Sequence, residues 1–593
     1  MKAVLALTAI LASVASAVAG GETMREVRSG EYTVRLDLTG QVLGLLAPQD
    51  IAFGERGREV EVPLHASLAE IADDDFVSAS VLAAKAKQFD DGLFAAAELA
   101  AQTGLGDFAG KEKLLATLAK QLASGAPNKS IGILYAGAEL GGVKVDVPAP
   151  YRALVETQKK EFLGDALHSK PIGFYTWSRE LSAIFQQDRM LQSELPDPAG
   201  TEAIVRALAA NKEVLANYTS VLNLAEQLTN SFRDSDLRDL VASSRIGKLR
   251  IPDRGVRFFP PSVAPETELV MLLFEGKPIP EGFNLADELV RRVQAGTLTL
   301  RPAANAGWYA QQLYSYESLV VPERSPEAAR LRFDNRYKEH LIALFKGLIT
   351  LTRESHVKQL EMPGHVGAAP PSPEPEVVIN VSPALSTEPL ATHYLRRSHA
   401  YAFVRHVLEN AFGRVALSSM HRRTAVGPAS KNLAEELAEM EALFYDAHVA
   451  VTSALGMQAL EKSGSGSGPA VSETRFAEFR QQLATDPDLG QDVRTMVPVF
   501  YDIGRKQTKV WVVLGWATRP VAVTFEHAPR VAVILKAGKP VSSGVRVEFR
   551  GDCHEVAYPV TAEVYVSKIL NRDEFRKLCD TYKTQKAILA NLK

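Results

Sequence analysis

The sequence predicts a mainly α-helical protein, a large multi-helix body with short N-terminal strands and a C-terminal antiparallel β domain, α+β in class. Three observations carry this. From residue 76 to about 361, apolar residues recur at helical spacing, as in "FVSASVLAAKAKQFDDGLFAAAELAAQTG". Over the last hundred residues the period becomes that of strands, in "MVPVFYDIG", "TKVWVVLGWA", "PVAVTFEH", "RVAVILKAG" and "VRVEFRG", separated by turn residues. And 593 residues are too many for one hydrophobic core, so roughly two to four domains or subdomains are expected.

The first 19 residues read as a secretory signal. Lys2 precedes an apolar run from Ala3 to Leu11, and small residues fit A-x-A at Ala15–Ala17 and Ala17–Ala19. Export to the periplasm or the extracellular space is the expectation, with about 17 to 19 residues removed. No later run of 18 apolar residues follows, so no transmembrane segment is expected in the mature chain. The formal charge of -3 gives no basic excess for nucleic acid.

Residues 20–75 read as a strand segment, because "EYTVRLDLTG" alternates Tyr32, Val34, Leu36 and Leu38 with polar partners. Residues 76–362 form the helical body. Within it one long helix is expected from Ser325 and Pro326, a cap and a first-turn proline, through "EAARLRFDNRYKEHLIALFKGLITLTRESHVKQLE". Residues 363–390 are a proline-rich loop, with seven prolines between 363 and 389. Residues 391–490 form a second helical block, interrupted by the flexible "SGSGSGP". In the β domain, 491–593, "VWVVLGW" is apolar at both parities and predicts a strand buried on both faces. Asn571 with Glu574 predicts a capping box that opens a closing helix.

Several phrases are similar to those of a known family: "KPIGFYTWSRELSAIFQQDRML", "AGWYAQQLYSYESLV", "RYKEHLIALFKGLITLTRE" and the closing "RDEFRKLCDTY". The chain after about residue 150 resembles a family of exported bacterial and archaeal proteins defined by a domain of unknown function. The resemblance implies an exported helical protein with a C-terminal strand domain. It brings no activity and no catalytic residues, and His356, His399 and His406 fall outside its motifs.

Eight of the twelve histidines lie between His340 and His448, which makes that half the first place to look for a site. "THYLRRSHAYAFVRHVLENAFG" places His393, His399 and His406 among Arg396, Arg397 and Arg405. On a helix, seven residues return to one face, so His399 and His406 share a stripe with Asn410, while Tyr394, Tyr401, Leu408 and Phe412 lie opposite. The two histidines stand roughly 10 Å apart along the axis, whereas two ligands of one zinc each lie about 2 Å from it. A zinc site from this helix alone is thereby excluded. Candidate catalytic groups are His399, His406, Tyr401, Arg396 and Asn410; satisfied structural histidines are the competing reading.

A divalent metal assembled from separate segments would draw on His356, Glu361 and His365. Glu354 and Lys358 are read as an i,i+4 helix pair. Tyr175, Trp177, Trp308, Tyr309 and Tyr316 are candidate stacking surfaces for a polysaccharide, with core packing as the alternative. Cys553 and Cys579 either form a disulfide or stay as separate buried thiols. No His-Glu-x-x-His, Cys-x-x-Cys, Gly-x-Ser-x-Gly or P-loop motif is present, and no cofactor is expected. The leading functional expectation is binding of a ligand or protein partner through the helical body. The rivals are an exported polymer-acting enzyme, lyase or hydrolase in type, and a metal-assisted hydrolase.

Overall fold

The computed structural model describes residues 64–361 except 70, 72–75, 253, 275–278, 281 and 334. It also describes 385–460, 469–525 and 552–592, with five short strands ahead of residue 64. The signal segment, His365 and the strand-like stretches "RVAVILKAG" and "VRVEFRG" lie outside the described residues. Helices dominate, and an antiparallel sheet stands near the C-terminus, as the sequence predicts.

The N-terminal strands are β1 (Met24–Ser29), β2 (Tyr32–Asp37) and β3 (Val42–Leu45), which pair antiparallel in that order. β4 (Ala52–Gly54) and β5 (Arg58–Val60) form a separate hairpin. The body is built round α1 (Ala79–Thr103), whose residues are buried on nearly every side. Its alanines let neighbours approach closely all round. Ser78 makes no side-chain cap; the first-turn N–H of Ala79 is met instead by Glu388, 309 residues away, at 2.8 Å. A carboxylate suits the positive end of the helix. The helix stops at Gly104, where φ is 89°, a conformation open to glycine.

Around α1 stand α2 (Lys111–Leu122), α3 (Arg179–Leu191), α4 (Lys212–Leu228) and α5 (Trp308–Val320). The helical run "TEAIVRALAANKEVLANYTSVLNLAEQL" is broken at Asn211, whose side chain accepts from the N–H groups of Glu213 and Val214 and so starts α4.

The helix expected from Ser325 begins ten residues later. Pro326–Ala329 is a single 3-10 turn, and β6 (Leu331–Arg332) pairs with the far end of the C-terminal sheet. Only then does α6 run, Asn335–Ser355. The reason is tertiary. Glu327 turns aside to accept from the N–H and hydroxyl of Thr392, and the sheet edge offers backbone partners to residues 331 and 332. The second block contains α7 (Ala391–Phe412), the small hairpin β7 (Arg423–Thr424) and β8 (Gly427–Pro428), and α8 (Leu433–Ala454).

In the C-terminal sheet β10 (Gln507–Phe525) pairs antiparallel with β9 (Thr495–Asp502) and β11 (Asp552–Val566). "TKVWVVLGWA" and "PVAVTFEH" are one strand rather than two. At the bulge beside Gly515, Trp516 exchanges two backbone hydrogen bonds of 2.7 Å with His65. Val510 through Leu514 and Trp516 are buried, so β10 is covered on both faces as its pattern predicts. One cover is α6. A Cβ at Gly347 would stand 2.0 Å from Pro559 Cγ of β11, so glycine there sets how closely helix and sheet meet. Helix α9 (Arg572–Tyr582) starts with the expected Asn571–Glu574 capping box, but it does not close the chain: a further short helix, Gln585–Leu592, follows it.

Candidate ligand cavity above a buried ion cluster

Helix α1 carries Lys87, Asp91 and Glu98 at spacings of four and seven, which puts them on one face, with Asp90 beside it. All four are buried. Each meets its counter-charge on an element distant in sequence, giving three interior clusters.

The first ties α1, α6 and α9 together. Lys87 Nζ stands 2.6 Å from Asp91 and 2.9 Å from Glu354. Arg572 donates from the first turn of α9 to Asp91 and lies 3.0 Å from Glu354. Thr495 of β9 donates to Glu354 at 2.6 Å. Burial alone would raise the Glu354 carboxyl, but Arg572 and Lys87 hold it well below the carboxylate range.

The second centres on Asp90, which accepts from Arg397, from Tyr401 at 2.9 Å and from Gln312 at 2.8 Å. Burial outweighs Arg397 here, and the Asp90 carboxyl is raised. Beside it is a polar cavity of about 20 Å³ touched by Lys87, Asp90, His393 and Arg397, a volume that suits one water molecule.

The third joins α1, α2, α3 and the turn after α6. Lys111 Nζ donates to Glu98 at 3.2 Å and Asp188 at 2.7 Å, and Lys358 Nζ pairs with the same two carboxylates. Tyr175 donates to Glu98 at 3.2 Å, Gln359 donates to it at 2.8 Å, and Gln187 donates to Asp188 at 3.0 Å. Burial would raise both acids. The two ammonium groups reverse this, holding Asp188 down at about 2 and Glu98 below its ordinary value. Lys111 is raised, because the attraction of Asp188 and Glu98 outweighs its burial. The cluster is ionised at neutral pH and sums to zero charge.

This third cluster forms the floor of a cavity of about 60 Å³. The walls are apolar: Val221, Leu222, Leu224 and Leu228 of α4, with Phe259. A mostly apolar hollow with a few convergent polar groups is the ordinary construction of a small-molecule site. Drug-sized sites are several-fold larger, so this one suits a small guest.

The residues singled out from sequence lie elsewhere, apart from Tyr175 and Lys358. His399, His406 and Asn410 form the expected stripe on α7, and it faces outward; His406 Nε2 and Asn410 Nδ2 are 3.0 Å apart. Tyr401 is on the inner face, engaged by Asp90 and Arg397, so the structure does not bring it to the histidines. Arg396 lies over the ring of Tyr314 at 3.7 Å and donates to that residue's carbonyl. Of the aromatics, Tyr175, Trp308, Tyr309 and Tyr316 are sealed in the core, and Trp177 is half-buried against Phe174. Tyr309 donates to Glu266, and Trp308 stacks with Phe94, so these rings present no open face to a sugar.

His356 sits in the core against Phe94, Trp308 and Tyr309, with its Nε2 2.9 Å from Gln312. Glu361 is paired with Arg233 at 2.8 Å. Among the described residues no group of three His, Cys, Asp or Glu is placed to hold a metal ion. Cys579 is a buried free thiol, raised to about 12 by burial; the side chain of Cys553 lies outside the described residues. The Glu354–Lys358 pairing is corrected. Glu354 bonds to Lys87 and Arg572, while Lys358 bonds to Glu98 and Asp188. The missed residues had one local signal, the heptad-like spacing of Lys87, Asp91 and Glu98 in an otherwise alanine-rich helix.

The fold and the site together define a mainly α protein that buries charge-balanced ion clusters, one of them beneath a small apolar cavity. Comparisons with protein-family models, curated proteins and solved structures return no match. No helix among the described residues is long and apolar enough to cross a membrane.

Proposed function

We propose that this is an exported protein that binds a small ligand in its helical body, at the cavity above Glu98, Lys111, Asp188 and Lys358. The observation that supports it is the construction of that hollow, apolar on the α4 side and lined by fixed charges on the other. The floor suits holding a ligand rather than moving protons. Both acids are ionised and saturated by lysines, so neither is a base poised near neutral pH.

Xenon tests the cavity, because a small apolar hollow takes it up without needing polar contacts. Xenon NMR of the full chain is expected to show saturable binding. Ala225→Leu, which places bulk on the cavity wall, should weaken it by at least roughly tenfold, since the probe and the added methyls compete for one space. Equal xenon binding in both proteins would overturn the reading.

The export component rests on Lys2, the apolar run and the small-residue cleavage positions. The mass of the protein recovered outside the cytoplasm should correspond to loss of about 17 to 19 residues. An intact Met1 would refute it.

A further inference from the structure

The cavity floor carries hydrogen-bonding capacity that the protein itself does not spend. An ammonium has three N–H donors. Lys111 Nζ uses two, on Glu98 and Asp188. Lys358 Nζ also uses two, and its remaining side lies 5.4 Å from the centroid of the Tyr175 ring, where a cation is favoured. The donor left over is therefore on Lys111. An acceptor is left over as well. Gln359 Nε2 donates to Glu98, which fixes the orientation of the amide, and among the described residues Gln359 Oε1 is buried without a partner. Gln359 is 8% exposed and lines the same cavity as Lys111.

A guest must satisfy one donor and one acceptor at the same end. A carboxylate would suit Lys111 but would point lone pairs at Gln359 Oε1 and at two buried acids. An ammonium would suit Gln359 and be repelled by Lys111 and Lys358. Either ion would add net charge to a buried cluster that is already balanced, at a large desolvation cost. A hydroxyl both accepts and donates, and it is neutral. A cavity of 150 Å³ accommodates benzene, so about 60 Å³ has room for a chain of roughly two to four carbons.

We infer that the site binds a short-chain aliphatic alcohol, whose hydroxyl accepts from Lys111 Nζ and donates to Gln359 Oε1 while its alkyl part lies against Val221, Leu222 and Leu228 of α4. This rests on the proposal that the cavity is a ligand site.

The test uses the full chain at pH 7 with guests of matched size: 1-propanol, methoxyethane, propylammonium and propionate, alongside xenon. Affinities are read by saturation-transfer NMR. Propanol is expected to bind at least roughly tenfold more tightly than either ion, since an ionic head leaves a buried charge unpaired. Methoxyethane accepts but cannot donate, and should bind roughly three- to tenfold more weakly than propanol. Gln359→Leu should cost propanol a similar factor relative to xenon measured in the same variant. Xenon binding with no preference for propanol over methoxyethane would overturn the alcohol assignment and leave the cavity reading standing. Tighter binding of propylammonium or propionate would also overturn it, in favour of an ionic ligand. Failure of every probe, xenon included, would remove both proposals. The unmodified protein decides the matter through the ether comparison, even where Gln359→Leu does not fold.

Discussion

Arg572→Leu is expected to destabilise the protein by about 3–5 kcal/mol, read as a lower apparent midpoint in urea. Arg572 is buried in the first turn of α9, and its guanidinium reaches into the helical body to Asp91 and Glu354. With leucine in its place, two fully buried carboxylates must share the single charge of Lys87. The loss is then the cost of an uncompensated buried anion, which is far larger than the net worth of an ion pair. The same helix supplies its own control. Lys170 and Glu574 pair at 2.5 Å in a partly exposed setting, and Lys170→Ala should cost only about 0–1 kcal/mol. If the two substitutions cost the same, the latch between α9 and the body is not what holds this end of the molecule.

The second large effect is a pH dependence carried by His393. Burial drives its imidazole down to about 4; the bond to the Ser315 carbonyl acts against this, and Arg397 adds to it. The folded value lies below the unfolded one, so folding favours the neutral ring. Its contribution is complete above pH 6.5 and is lost as pH falls from 6.5 towards 4, because only the unfolded chain takes up the proton in that window. The amount is on the order of 3 kcal/mol. Buried carboxyls act in both directions at lower pH. Asp90 is raised by burial against the pull of Arg397, and it favours the folded state in acid. Asp188, held at about 2 by the two lysines, costs stability as pH falls from about 4 towards 2. The measurement is therefore a difference. Between pH 7 and 4 the native chain should lose about 3 kcal/mol more than His393→Gln, followed by urea unfolding at each pH. Parallel stability profiles for the two proteins would show that His393 is not held neutral in the core.

Both effects depend on residues whose setting was only partly legible. The fold class was, because it follows from local pattern. The helical spacing and alanine-rich composition of α1 announce a helix. Apolar residues at both parities of "VWVVLGW" announce a doubly covered strand, and Asn571 with Glu574 announces its own helix start. The shared stripe of His399, His406 and Asn410 was legible for the same reason, since 3.6 residues per turn fixes which side chains share a face, but that it faces outward was not.

Periodicity says where a side chain points along its own element and nothing about what stands across from it. Ser325 and Pro326 have the sequence pattern of a helix start, but the Ser325 side chain makes no cap, and Thr392 and the edge of β10 draw residues 327–332 away from helix. Glu354 and Lys358 look like a surface pair at four residues' separation, but each is buried and pairs with charges on α1, α3 or α9. The class, the principal helices and the covered strand follow from local pattern, because hydrogen bonding within an element and the burial of one stripe are local. The three ion clusters and the cavity arise from packing between elements. Coulomb partners and enclosed volume are set by segments tens to hundreds of residues apart, and a charge in the chain does not disclose whether water or a counter-ion will meet it.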